Sequence, residues 1–528
     1  MSDNPSVLVA PQTKLYLLTG VPLDNTYKNT LYFASASAQA SYFMSKAKYS
    51  RTNFTYQREE RFVRIDIEAD NLWDCNYIMY QNSAYGSKWF YGFITRIEYV
   101  SGGRSNVYFE IDVMQTWAFD YTLWPSFVER EHPRTDTAGD NLLPENFELG
   151  EYIFDSFDSS GHLGAYSIVV AATFDNEFND ASGGNFSNIY SGLYYNVFTS
   201  AQEVNDFIDK ATEKNLATGI VSVFMMPSDF IGEQNQPPQS FNITKDKLVS
   251  GDIDGYSPKN NKLFTYPYNF MYVTNLNGNS ANFPYEYFSG TSCEFGLAGD
   301  MSCNPQVILY PKNYKGVAAN YNEKMVLDGF PQCAFTTDSF KAWLAQTAAP
   351  FAFSAVGTGA QAINAMNLAT AAGAASPAIA AAGTAVALPY IAGKLAEGIQ
   401  HYTLPPHAQS SQGNSALTAL RIKDFAFMPC HIRYEFAQII DWFWTVYGYP
   451  CHEIKVPNRN VRPHWNYVKT VDVCITGSIP ATDMARIKTI YNNGVTFWMN
   501  GNEVGNYLLD NRPSSNRLEV NENGQTTE

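Results

Sequence analysis

The sequence predicts a mainly β protein of sandwich or barrel type, with a few helices and one long Ala/Gly-rich apolar loop. Composition is the first ground: of 528 residues, 15% are aromatic and only 16% charged, the balance of a chain that packs broad interfaces. Patterning is the second, because short stretches that alternate apolar and polar residues are separated by Gly, Asn, Asp and Ser. The third is Ala342–Gly393, which runs 52 residues without Asp, Glu, Lys, Arg or His and holds 21 alanines and five glycines. A soluble domain rarely leaves so long a segment without charge. It must be buried, inserted into a bilayer or threaded along a partner.

The elements follow in chain order. The amino terminus, MSDNPSVLVAPQTKLYLL, has neither a basic n-region nor a long apolar stretch, so no secretory signal is expected. A short helix is predicted over Ala36–Lys46. In Arg61–Glu68, Val63, Ile65 and Ile67 alternate with Arg64, Asp66 and Glu68, the period of a half-wet strand. Lys88–Val100 and Ser105–Trp117 repeat that pattern and are joined through Ser101–Gly103, which predicts a hairpin. After Gly150 the texture shifts to turn-rich sequence between short aromatic strands. Ser200–Lys214 reads as a helix whose Val204, Phe207, Ile208 and Ala211 share one face, and Tyr434–Tyr447 as a strongly apolar helix. Beyond Ser415 the texture of the first 150 residues returns, and the polar tail from Asn511 to Glu528 is expected to fray. The predicted organisation is 1–150, an amino-terminal β domain; 151–340, a β-rich aromatic and Asn-rich domain; 341–414, the apolar loop; and 415–528, a carboxyl-terminal β domain packing with the first.

Charge narrows the function. With 35 Lys and Arg against 51 Asp and Glu the net charge is −16, and no basic block of five residues occurs. That argues against a surface built to grip phosphates. Seven scattered cysteines (Cys75, Cys293, Cys303, Cys333, Cys430, Cys451 and Cys474) read as reduced thiols of a protein made in a cytoplasm. The sequence lacks G-x-x-x-x-G-K-[ST], H-E-x-x-H, G-x-S-x-G and paired C-x-x-C. Gly357-Thr-Gly359 has no strand before it and reflects local composition.

Two groups invite a chemical reading. Pro429-Cys430-His431 and Pro450-Cys451-His452 place Cys beside His twice, so a four-ligand zinc site is conceivable. Adjacent strand residues face opposite ways, which favours two ordinary strand starts. Glu129, Glu131, Asp136, Asp140, Glu145 and Glu148 admit a reading as a calcium loop or as glycosidase acids. Their spacing fits no EF-hand, and solvated or inter-subunit salt bridging is the better account. No enzyme, metal or cofactor is expected.

A resemblance enters at Asp112–Ile153. Asp112-Val-Met-Gln-Thr116, Phe127-Val-Glu-Arg-Glu-His132 and the run Asn141 to Gly150 stand in the order seen in tail proteins of the smallest short-tailed phages of Gram-positive bacteria. Lys455-Val-Pro-Asn458, Arg462-Pro-His-Trp-Asn-Tyr-Val-Lys469, Ile475-Thr-Gly-Ser-Ile-Pro480 and Gly494-Val-Thr-Phe-Trp498 resemble the same family. The family is that of tail-knob or distal tail-tube proteins of Picovirinae-type, Bacillus-infecting podoviruses. The resemblance covers about the first 150 and the last 110 residues. It implies tube-forming β domains, a homohexamer, an upper-tail or lower-collar protein above it, and assembly in the host cytoplasm into the distal tail of the virion. It further implies apolar loops that enter the host cell membrane and open a channel for phage DNA. An acidic lumen would suit that passage, because it repels the phosphate backbone.

On that reading Ala342–Gly393 is the membrane-insertion loop, with Phe351, Phe353, Val356, Ile363, Met366, Leu368, Ile379, Val386, Leu388 and Ile391 as its apolar contacts. Helices are predicted over Gly359–Gly373 and Pro377–Leu388. At 1.5 Å per residue each reaches roughly 18–24 Å, short of the ~30 Å hydrocarbon core. Gln361, Asn364, Asn367 and Thr370 recur three apart and wet one side, while the small residues allow close helix approach. The competing account of the segment is an Ala-rich hairpin buried in a core. His401 and His407 are candidate acid sensors or plain loop histidines. Two further functions stay open: a host cell-wall glycan-binding adhesin acting through the aromatic stretch 155–335 without pore activity, and a wall-digesting enzyme.

Overall fold

The computed structural model describes residues 13–52, 61–83, 86–155, 166–174, 185–187, 193–198, 201–230, 239–244, 251–275, 278–300, 305–328, 330, 332–334 and 425–513. The fold is mainly β. Among the described residues there are five α-helices: α1 (Ala36–Ser45), α2 (Val113–Thr116), α3 (Ala201–Glu213), α4 (Tyr434–Tyr447) and α5 (Ala481–Asn493). The chain divides into two compact units. The first joins Met1–Glu148, Ser257–Lys262 and Glu435–Glu528; the second joins Leu149–Tyr256 and Leu263–Tyr434.

The first unit is built on two larger sheets. One has six strands in the order Ala47–Thr52, Thr13–Thr19, Cys75–Asn82, Trp89–Ser101, Arg104–Ile111 and Phe62–Ile65, every pairing antiparallel. Strand alternation gives this sheet two buried faces. Tyr77 and Met79 point into a core with Phe43, Trp465 and Trp498, while Ile78 and Tyr80 point into another with Leu15, Val63, Ile65 and Val107. The predicted alternation at Val63, Arg64 and Ile65 is present, Arg64 alone being exposed.

The other sheet interleaves the two ends of the chain. Its order is Asn29–Leu31, Val495–Trp498, Trp465–Val471, Ser126–Glu131 and Tyr449–Lys455. Asn29–Leu31 pairs in parallel with Val495–Trp498, and Ser126–Glu131 lies antiparallel between two carboxyl-terminal strands. A small ladder adds Tyr121–Leu123 against Ile475–Gly477.

Two local expectations change. The second hairpin strand was expected to continue to Trp117 but ends at Ile111, because the Asp112 carboxylate accepts from the Met114 and Gln115 amides and starts α2. Helix α5 was not expected, although Ile487, Ile490 and Tyr491 are buried at helical spacing.

The second unit holds three sheets. Tyr166–Ala172 pairs with Tyr194–Phe198 and Ile220–Pro227, and α3 packs there. The helix buries Val204, Phe207, Ile208 and Ala211, the face expected from their spacing. A second sheet runs from Gln239–Thr244 through Ser292–Asp300 and Gln306–Tyr314. In the third, Ala426–Ile432 lies between Tyr152–Phe154 and Asn269–Thr274.

Candidate functional site

The motif residues meet in the first unit, at the joint between the two chain ends. Asp112 is 1% exposed; besides capping α2 it accepts a 2.7 Å bond from the Tyr77 hydroxyl. Burial pushes its carboxyl up to about 6, opposed by those same hydrogen bonds. Gln115 donates to Thr30 Oγ1 and the Leu31 carbonyl, and Thr116 Oγ1 closes on the Tyr91 amide and carbonyl.

The next motif spans the joint directly. Glu131, fully buried, accepts from the Asn458 amide at 2.8 Å and its side chain at 2.6 Å, and pairs with Lys455 at 3.0 Å. Arg130 donates to the Gly448 carbonyl and pairs with Glu145. His132 Nε2–H donates to the Thr445 carbonyl at 3.1 Å, while its Nδ1 accepts from the Tyr467 amide at 2.8 Å. Burial, with Arg462 nearby, pulls that imidazole down to about 3, so it stays neutral. Glu145 also accepts from Lys262 at 2.9 Å and from the Trp444 indole at 2.8 Å. Ser257–Lys262 joins this unit because Asp441 of α4 accepts from the Lys259 and Asn260 amides.

One residue here escaped the sequence reading. Asn511 was expected at the start of a fraying tail. Instead it is 6% exposed, accepts from the His464 and Trp465 amides and donates to the Trp465 carbonyl. Gly448 has φ +67°, and a Cβ there would lie 2.2 Å from the Glu131 carbonyl oxygen. Only glycine fits that approach.

The acidic run was expected to be solvated or to bridge subunits, and most of it is instead bonded within the chain. Glu129 meets Lys469 at 2.6 Å, Asp136 accepts from the Tyr449 hydroxyl at 2.6 Å, and Asp140 accepts from Thr135. The partners of Glu129 and Asp136 come from the carboxyl-terminal part, which makes these two carboxylates staples of the joint, while the Asp140 bond is local. The second of the two Cys-His pairs is engaged elsewhere: Cys451 bonds the Tyr449 carbonyl and His452 stacks on Phe127. Among the described residues the one group of three or more potential metal donors is Asp155, Asp254 and His431, with no cysteine in it.

One surface of the joint is apolar. Ile454 lies opposite Phe127, and Phe127 opposite Val471, so the three form a row across adjacent strands. They are 76%, 40% and 52% exposed. The ten loop residues Phe351, Phe353, Val356, Ile363, Met366, Leu368, Ile379, Val386, Leu388 and Ile391, and His401 and His407, lie outside the described residues. Among the described residues no helix is long and apolar enough to cross a membrane.

Comparison with known proteins agrees with this architecture. The family described as Bacillus phage phi29, tail knob protein gp9, C-terminal domain matches residues 229–512, and the caudoviral major tail protein N-terminus matches residues 11–122. The tail knob protein gp9 of Bacillus phage B103 is 26% identical, over 94% of this chain and 98% of its own. The tail knob protein gp9 of Bacillus phage phi29 is 24% identical with the same coverage. The solved structure of the bacteriophage C1 tail knob protein, gp12, superposes with a TM-score of 0.60 at 15% identity, covering 93% of this chain and 97% of that one. The named relatives are structural tail proteins and not enzymes.

Proposed function

Because the chain belongs to the family of Bacillus-phage tail knob proteins of the phi29 gp9 type, and so is a structural component of a virion tail, we propose that six copies assemble into its distal tube. The exposed row Ile454, Phe127 and Val471 carries this reading. Apolar side chains aligned across three strands of a soluble unit mark a surface that another subunit covers. The tube docks on an upper-tail or lower-collar protein, is assembled in the host cytoplasm, and conducts phage DNA without gripping it. The net charge of −16 supports that last point, since excess carboxylate disfavours phosphate adhesion.

The apolar segment 341–414 plugs the tube until infection and then enters the host membrane, led by Phe351, Phe353, Val356, Ile363, Met366, Leu368, Ile379, Val386, Leu388 and Ile391. Uncharged Ala- and Gly-rich helices from several subunits pack closely, and the stripe from Gln361 to Thr370 lines a wet channel. The segments 1–150 and 415–528 form the tube wall, and 151–340 is a β-rich aromatic and Asn-rich domain. Native mass measurement tests the assembly. The full chain is expected as a hexamer, and Ile454→Lys with Phe127→Glu as a folded monomer. A wild-type monomer at micromolar concentration would refute the tube.

A further inference from the structure

We propose that Asp155, Asp254 and His431 of the second unit form a three-ligand site for a divalent transition-metal ion of the zinc class. The backbone brings the donors together. His431 pairs with Ile153 across the sheet, so Asp155, two residues on, is its diagonal neighbour on the same face. The Asp155 amide donates to the Pro429 carbonyl at 3.0 Å, which carries the pairing past the strand end. Asp254 reaches the same place from a tight turn closed by reciprocal Ile253 and Tyr256 backbone bonds of 2.8 and 2.9 Å. Asp254 and Gly255 sit there at φ +49° and +80°, the pair of left-handed residues that a two-residue hairpin turn needs.

The imidazole is oriented for ligation. His431 is 6% exposed and its Nδ1–H donates to the Ile432 carbonyl at 2.8 Å, which turns Nε2 toward the carboxylates. A backbone carbonyl holding the non-ligating nitrogen is the usual support of a metal-bound histidine. Nε2 lies 2.8 Å from Asp155 Oδ1 and 3.7 Å from Asp254 Oδ1, and all three donor atoms fall within 4.8 Å of one another. Tetrahedral zinc with ligands at about 2.1 Å separates its donors by about 3.4 Å, so shifts of roughly 1 Å complete the site. Both aspartates are partly exposed, which leaves water access for the remaining coordination position. One imidazole with two carboxylates favours zinc or manganese over calcium or magnesium. The ion would tie the end of Tyr152–Phe154, the end of Ala426–Ile432 and the Asp254 turn together.

Isothermal titration of the chelator-stripped full chain with Zn2+ tests the site, with Co2+ absorption as the reporter of ligand type. One ion per chain is expected, with cobalt bands free of thiolate charge transfer. His431→Ala and Asp254→Asn are each expected to weaken binding at least about tenfold. Asp254 lies on an exposed turn, so its variant should keep the wild-type melting temperature without metal and lose the zinc-induced rise. Zinc affinity unchanged in both variants, a cobalt spectrum with a thiolate band, or no binding at all would overturn the proposal.

Discussion

His132 shows how the joint treats a single titratable residue. Its imidazole donates through Nε2 and accepts through Nδ1, so the neutral form is held from both sides. Its folded value is about 3 against an ordinary value of 6.5. Between those limits the unfolded chain binds a proton that the folded chain refuses, so His132 lowers stability as pH falls from about 6.5 to about 3. Asp112, raised to about 6, works in the opposite sense: its folded form keeps a proton between about pH 4 and 6, and stability rises on acidification there. A His132→Gln chain isolates the first effect, because the amide can donate and accept in the same places without titrating. In urea unfolding, the stability gap between wild type and His132→Gln is expected to narrow by about 2 kcal/mol from pH 7 to pH 5. A gap that stays constant would mean that His132 titrates normally in the folded protein.

At the scale of elements, the turn from α4 into Tyr449–Lys455 sets the joint. Gly448 ends α4 at positive φ and lies against the Glu131 backbone, while its own carbonyl receives Arg130. Gly448→Ala adds both a left-handed penalty and a backbone clash, so a loss of about 3 kcal/mol or more is expected in thermal or urea unfolding. A loss under about 0.5 kcal/mol would show that the strands part easily there. Helix α4 itself was legible, because Tyr434–Tyr447 is apolar and bounded by Gly448. Helix α3 was legible from the spacing of Val204, Phe207, Ile208 and Ala211. Helix α5 was not, because its buried face is narrow, with only Ile487, Ile490 and Tyr491 buried among 13 residues. The pairing of Asn29–Leu31 with Val495–Trp498 joins residues more than 460 positions apart, and no local pattern in the sequence encodes that. The motif Phe127–His132 marked the joint, but that Glu131, Glu145 and His132 would be buried staples depended on partners from α4 and beyond. Asn511 was misread for the same reason: a polar residue in a polar tail becomes essential only once three backbone groups of His464 and Trp465 converge on it.

The whole molecule combines a stapled, mainly β joint with a long segment that carries no Asp, Glu, Lys, Arg or His from Ala342 to Gly393. The staples are made by residues outside the apolar segment, and such independence of the fold is what the proposed plug requires. A loop that leaves a tube for a membrane must be dispensable to the fold that stores it. Its alanines and glycines give up little side-chain entropy in either place. The helix breaks expected from the sequence at Gly373 and Pro377 would suit a conditional bundle better than a permanent span. Dye release from liposomes, comparing the purified wild-type assembly with a chain lacking residues 351–391, tests this most directly. Release by the wild type and none by the deletion, with both hexameric, is the expected result; equal release by the two, or release by neither, would contradict a membrane-entering loop.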